Sequence, residues 1–302
     1  MVFDALWPLA LYFAAGALLR ATGILRSDHA GIVFRTVFYV TLPALAFDVV
    51  SDATLDGRSL WLPVIGFSIN ALCVLAAVVA GKSGRMNRAD IVTLVVGVGI
   101  TNMLFSFPFI LVLLGPEALA DAVILDIGNA LFVTIVVNHV AIRHGAGPDA
   151  KAWTGMRRFL TSPLFLALVL ALIVNGYGLQ VPEMMMTIIE PVGRITVPLT
   201  ILALGLSFHV QGLRGKLPWI MVAIRMGFGL LLGLAIVAIV GFDARTATIV
   251  IASAAAPIGF MAATFASVAK LDAAKVSAAI SMSVLIGLVT TPAILILLPH
   301  LL

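Results

Sequence analysis

Charge is absent from residues 59–81, 91–116, 159–182, 246–269 and 276–302, and apolar side chains dominate each of these runs. A helix crosses a bilayer with roughly 20 mainly apolar residues, so each run is long enough to span. Extended to the less pure segments, the pattern predicts ten membrane helices, at about 3–19, 33–50, 60–81, 91–114, 118–142, 159–177, 186–208, 218–240, 246–269 and 274–298. Segments four and nine are not plain. The fourth is interrupted by Gly97, Gly99, Thr101 and Asn102, then by Ser106 and Pro108; the ninth is interrupted by Ser253, Pro257 and Gly259. Proline removes a backbone donor and clashes with the preceding turn, while glycine tolerates unwound backbone. Gly97, Gly99, Pro108 and Pro257 are therefore the expected helix breaks. Unwound backbone at membrane depth survives only where protein or a water-filled cavity covers it. A matching pair of interrupted segments is the strongest sequence pointer to a transporter binding site.

Composition agrees with this reading. The 302 residues are 62% hydrophobic and 11% charged, against about 25% charged in ordinary soluble proteins. The net charge of +4 does not call for nucleic acid, because the basic residues sit in short connections. With the N-terminus outside, all Lys and Arg except Arg58, Arg194, Arg225 and Arg245 fall in or beside inside connections. Asp52, Asp56, Glu117, Asp121, Glu183 and Asp243 fall in outside connections. This bias on alternate loops supports ten spans with both termini outside. Trp7, Trp61, Trp153 and Trp219 lie near span ends, as interface anchors do. The first segment carries Asp4 instead of a basic n-region and runs on to Leu19, so it reads as a retained helix and not a signal peptide. Cys73 is a lone cysteine in an apolar run, without metal-ligand spacing.

The longest connection, 143–158, separates a first half at 1–142 from a second half at 159–302, each with five predicted spans. Five is odd, so the second half enters the membrane from the opposite side. If the halves share a fold they are inverted repeats. Spans two and seven support the match, with Pro43 in Thr41-Leu-Pro43 and Pro198 in Thr196-Val-Pro198. The interruptions of spans four and nine support it further.

The pattern from Phe38 through Thr41, Pro43 and Phe47 resembles the auxin efflux carrier family, which includes bacterial malonate-type carriers. So do Gly99 to Asn102 with Phe107-Pro108, Thr196 to Leu206, Ala255 to Phe260, Leu271-Asp272, and the Pro292 helix end. The resemblance covers nearly the whole chain. It implies an all-α membrane fold like that of sodium/proton antiporters and bile-acid symporters, with helices four and nine crossing at their breaks. It also implies a scaffold from spans 1, 2, 6 and 7, which could support a homodimer, and a transport domain from spans 3–5 and 8–10 that moves like an elevator. A bacterial member would sit in the cytoplasmic (inner) membrane. Unlike the plant carriers, this chain has only residues 143–158 between spans five and six.

Half-helix N-termini attract anions, and the carbonyl ends facing them suit cations or hydrogen-bond donors. Thr101, Asn102, Ser106, Ser253, Pro257 and Gly259 are thus the expected substrate-binding positions, although Ser and Thr can instead bond their own helix. Asp126, with Asn129 three residues on, places a carboxyl within span five; such a group is by default a functional hypothesis and could exchange a proton, the alternative being a carboxyl near the outer interface, reached by water or paired to a neighbour. Arg225, the only charge between Leu217 and Phe242, either snorkels to the inner face or balances Asp126 or an anionic substrate. These three are the candidates for proton or ion coupling. Glu190 and Arg194 are spaced as a structural i,i+4 pair, and Asn70 as hydrogen-bonding glue between helices.

A carrier for a small organic anion, a carboxylate, is the expected function. A sodium/proton-type exchanger of the same architecture is the alternative, but no acid group stands at either break. An intramembrane enzyme or receptor is a third reading, and no nucleophile–base spacing, nucleotide loop or zinc motif supports it. No cofactor or metal is called for.

Overall fold

The computed structural model describes residues 2–55, 57, 59–145, 153–207 and 215–301. Residues 146–152 of the expected linker, with Lys151, lie outside the described residues, as do Asp56, Arg58 and Arg214. Within that range the chain is helical, in the order α1 (Val2–Ala21), α2 (Asp28–Ser51), α3 (Ser59–Ser83), α4 (Arg88–Val98), α5 (Met103–Leu114), α6 (Pro116–Gly145), α7 (Trp153–Leu160), α8 (Pro163–Gly176), α9 (Glu183–Ser207), α10 (Lys216–Val240), α11 (Ala244–Ala254), α12 (Met261–Val268) and α13 (Ala273–His300). Six of these, α2, α3, α6, α9, α10 and α13, are long and apolar enough to cross a membrane. The described residues form no sheet, only one isolated bridge between Thr101 and Ile258. The protein is an all-helical integral membrane protein. Trp7, Trp61 and Trp219 are all exposed, as anchors at the lipid interface need to be.

Helix starts follow local chemistry. Asn87 caps α4 by accepting from the Asp90 N–H at 2.8 Å, and Asp243 caps α11 by accepting from the Thr246 N–H at 3.2 Å. Three long helices contain a wider, π-helical turn, at Val37–Thr41 in α2, Val133–Val137 in α6 and Ala223–Phe228 in α10. In α2 the Leu42 N–H reaches back to the Val37 carbonyl, and Pro43 follows immediately. The widened turn thus sits where proline would otherwise disturb the ladder.

The helices group into two compact units. One comprises Met1–Gly57, Phe107–Val123 and Arg158–His209; the other comprises Arg58–Ser106, Ile124–Arg157 and Val210–Leu302. In the first unit, α1 and the second half of α9 approach through small residues. A Cβ on Gly16 would collide with the Leu202 carbonyl, and one on Gly205 with the Phe13 carbonyl. Asn175, at the end of α8, donates to the carbonyls of Val50, Ser51 and Ala53 at 3.1, 3.2 and 2.7 Å, closing the carbonyl end of α2. Glu190 and Arg194 form the expected ion pair on α9. A cavity of about 790 Å³ in this unit is lined by Asp48, Asp52 and Glu117 among others. Three carboxylates make it a poor place for an anion.

In the second unit α3 and α6 meet backbone to backbone. A Cβ on Gly66 would strike the Leu125 carbonyl, and one on Gly128 the Pro63 carbonyl. Small residues at such contacts let helices pack closely where lipid gives no hydrophobic drive. Phe67 and Phe132 add an edge-to-face contact with centroids 5.2 Å apart. This close approach sets Asn70 of α3 beside Asn129 of α6.

Gly128→Val should therefore wedge α3 from α6 and destabilise the protein by about 3 kcal/mol or more. Gly176→Ala, at a position with nothing within 4 Å of a new Cβ, should leave the thermal melt unchanged. Thermal unfolding of the two purified variants checks this pair.

Candidate functional site

The fourth segment is unwound between α4 and α5, at residues 99–102, and the ninth between α11 and α12, at residues 255–260. Both breaks lie in the second unit. Gly97 and Pro108, expected at the break, are not there. Gly97 lies inside α4 and Pro108 inside α5. Gly97 is needed for space, because a Cβ would strike the Met221 sulfur of α10. Gly99 and Pro257 do stand in the unwound stretches. Yet Gly99 has an ordinary φ of −74°, and its service is again space. A Cβ would come within 2.9 Å of Val137 Cγ2 and 3.0 Å of Val74 Cγ2.

The two unwound segments pair with each other. The Asn102 N–H donates to the Pro257 carbonyl at 2.9 Å and the Gly259 N–H donates to the Ile100 carbonyl at 2.8 Å. They flank an antiparallel bridge between Thr101 and Ile258. Gly259 makes this approach feasible, since a Cβ there would sit 2.5 Å from Ile100 Cγ2. Side chains satisfy what remains. Asn129 accepts from the Thr101 N–H at 3.2 Å and donates to the Thr101 carbonyl at 3.3 Å, as a neighbouring strand would. Ser283 of α13 accepts from the Ile258 N–H at 3.1 Å. Backbone at this depth must find such partners within the protein.

A directed chain of hydrogen bonds runs behind this bridge. Arg225 Nη1 donates to Asn70 Oδ1 at 2.8 Å, Asn70 Nδ2 donates to Asn129 Oδ1 at 3.1 Å, and Asn129 Nδ2 donates to Asp126 Oδ1 at 2.6 Å. Thr101 Oγ1 also donates to Asn70 Oδ1, at 2.8 Å. Guanidinium can only donate and carboxylate can only accept, so both amide orientations follow from the ends of the chain. Arg225 does not snorkel. It is fully buried, at 0% exposure, in the widened turn of α10. Its Nη2 donates to the Ala254 carbonyl at 2.7 Å, and its Nη1 lies 3.5 Å from the Val98 carbonyl. These carbonyls end α11 and α4. Gly229 of α10 permits the approach, because a Cβ there would strike the Ala254 carbonyl.

The expected substrate-binding side chains fall into two groups. Thr101 is spent on the network just described. Asn102 caps α5, its Oδ1 accepting from the Phe105 N–H at 3.2 Å. Its Nδ2, however, is buried without a partner among the described residues, as are Ser106 Oγ and Ser253 Oγ. Buried polar groups are almost always bonded, and unpaired ones in a native fold call for an explanation. Pro257 and Gly259 contribute backbone to the bridge. Asp126 and Asn129, linked in the sequence by their spacing, and Arg225, offered there as a balance for Asp126, belong to one connected chain through Asn70. Asn70 has a larger part than its lone amide suggested, since it joins α10 to both α3 and α6. Ser283 carried no local signal, being one of several serines in α13. Among the described residues no group of His, Cys, Asp and Glu could hold a metal ion.

A family profile described as a membrane transport protein matches residues 152–295. The matched stretch, the second half of the chain, belongs to this membrane transport family, as the resemblance to auxin efflux carriers anticipated. The transporter is 26% identical over 285 residues to an uncharacterized transporter of Methanothermobacter thermautotrophicus, covering 92% of each chain. It is 24% identical over 229 residues, 73% of each chain, to an uncharacterized transporter of Methanocaldococcus jannaschii. It is a transporter and not an enzyme.

The transporter's site separates bonded from unbonded polar atoms, and substitution should expose the difference. Asn129→Val strands the Thr101 backbone and the Asp126 carboxyl and leaves Asn70 Nδ2 with only the Gly66 carbonyl, and should cost about 3 kcal/mol or more of stability. Ser106→Ala and Ser253→Ala remove hydroxyls that bond nothing, and should change stability by less than about 0.5 kcal/mol. Melting temperatures of the three variants check the contrast.

Proposed function

We propose that this transporter is a secondary carrier for a small organic anion, a carboxylate. Asn102 supports this reading most directly. Its carbonyl oxygen is fixed by capping α5, which leaves a buried amide donor at the N-terminal end of a half-helix. Half-helix N-termini favour anions, and a carboxylate only accepts. Ser106 Oγ, one turn along α5, and Ser253 Oγ, in the last turn of α11, are further buried hydroxyls that a carboxylate could satisfy.

The proposed architecture is ten spans in two inverted five-helix repeats, 1–142 and 159–302, in a cytoplasmic membrane with both termini outside. Loop charges and the paired breaks support it. The scaffold would come from spans 1, 2, 6 and 7 and the mobile domain from spans 3–5 and 8–10, carrying substrate in an elevator-like movement. The two compact units support that grouping in part: spans 1, 2, 6 and 7 lie in the first, and spans 3 and 8–10 with both breaks lie in the second, whereas Phe107–Val123, the second half of span four and the start of span five, fall in the first. Asp126 is the proposed carrier of a coupling proton. A carboxyl bonded to the network that holds the crossover can relay its protonation state to Thr101 through Asn129.

Uptake of labelled malonate and other small carboxylates into proteoliposomes tests the reading. Asn102→Asp keeps an oxygen for the α5 cap but removes the donor and adds a negative charge. It should reduce uptake at least about 30-fold, the loss of one charge-assisted hydrogen bond, while the protein stays folded. Unchanged uptake in that variant would remove Asn102 from the site. In the same assay Asp126→Asn should abolish the response to an imposed pH gradient; a retained response would exclude Asp126 as the coupling group.

A further inference from the structure

Among the described residues Arg225 is the largest side chain that is completely buried. A lone charge there would be very costly unless its surroundings compensated it. The compensation is visible. Each α-helix presents about half a negative charge at its carbonyl end. Two such ends, Val98 of α4 and Ala254 of α11, meet the same guanidinium. Together they amount to about one negative charge, which matches the +1 of Arg225. Asn70 Oδ1 supplies a third acceptor. Carbonyl ends converging on one point, with an amide oxygen beside them, form the oxygen-rich environment that would otherwise suit a small cation. The fold is shaped to bring the guanidinium there. The widened turn at Ala223–Phe228 holds Arg225, and Gly229 lets α10 come up against the Ala254 carbonyl.

We infer that Arg225 is a built-in cation. Its guanidinium occupies the place between the two half-helix carbonyl ends, so the crossover is charge-balanced by the chain itself and neither folding nor transport requires sodium. Arg225 is thus a positioning residue: it holds α4, α11 and Asn70 in register. The inference about transport rests on the carrier reading; the inference about the cation's place rests on the geometry alone.

The test uses the full-length purified chain and reads melting temperature. Wild-type protein should melt at the same temperature in sodium chloride and in choline chloride of equal concentration. Arg225→Ala should melt about 10 °C lower or more. Millimolar methylguanidinium should recover a large part of that loss, and sodium or choline should recover none. Arg225→Lys keeps the charge but not the fork, and should melt between the two while remaining indifferent to sodium. Arg225→Ala as stable as wild type would overturn the inference, and so would failure of methylguanidinium to stabilise a folded Arg225→Ala. If Arg225→Ala does not fold, the wild-type and Arg225→Lys arms decide: a sodium-specific rise in either melting temperature overturns the inference, and its absence in both upholds it. In proteoliposomes, carboxylate uptake by the wild type should be equal in sodium and choline, and stimulation by sodium would likewise overturn it. Absence of any carboxylate uptake would count against the carrier reading while leaving the melting results to stand.

Discussion

Backbone that leaves the helix inside a membrane has no water to bond, and that constraint organises this protein. Between α4 and α5, and again between α11 and α12, the chain gives up its own helical ladder. The solution is mutual: Asn102 and Ile100 on one break bond Pro257 and Gly259 on the other. Asn129 and Ser283 then take up the groups that this pairing cannot reach. Much of the second unit serves the same end. Gly66 and Gly128 bring α3 to α6 so that Asn70 can meet Asn129, and Gly259 keeps the two breaks within bonding distance.

The same constraint separates stability from recognition. Atoms of the crossover that bond one another hold it together, and they include Thr101, which the sequence had marked for substrate. Buried atoms at the breaks that bond nothing among the described residues, Asn102 Nδ2, Ser106 Oγ and Ser253 Oγ among them, are the ones the proposed carrier reading assigns to a ligand. Asn102 stands on both sides of this division, with its oxygen structural and its amide nitrogen free. An anion carrier needs a site that is rigid before the anion arrives, because donors already in place need no reorganisation on binding. On the proposed carrier reading, capping α5 with the oxygen of Asn102 would serve this need, since it fixes where the nitrogen points.

Legibility from sequence followed the range of the interactions. Apolar runs gave the helices nearly end to end, because a helix answers to the residues within it. The positions of the two interruptions were legible for the same reason. Gly97 and Pro108 were misplaced because a local rule, glycine and proline as helix breakers, was overridden by tertiary packing. Gly97 makes room for Met221, and α5 continues through Pro108. Arg225 could be seen as an isolated charge in an apolar span, but its partners come from α3, α4 and α11, far away in sequence. No pattern within α10 could announce them. The chain Arg225–Asn70–Asn129–Asp126 draws on three helices, and only Asp126 and Asn129 were close enough in sequence to be linked beforehand.

The two breaks form a locked, hydrogen-bonded junction and are not loose connections. Hydrogen–deuterium exchange of the purified protein tests this most directly, through the amides of Thr101, Asn102, Ile258 and Gly259. These non-helical amides should exchange as slowly as the interiors of α4 and α11, about a hundredfold or more slower than the surface turn at residues 84–87. Exchange at the rate of that turn would contradict it.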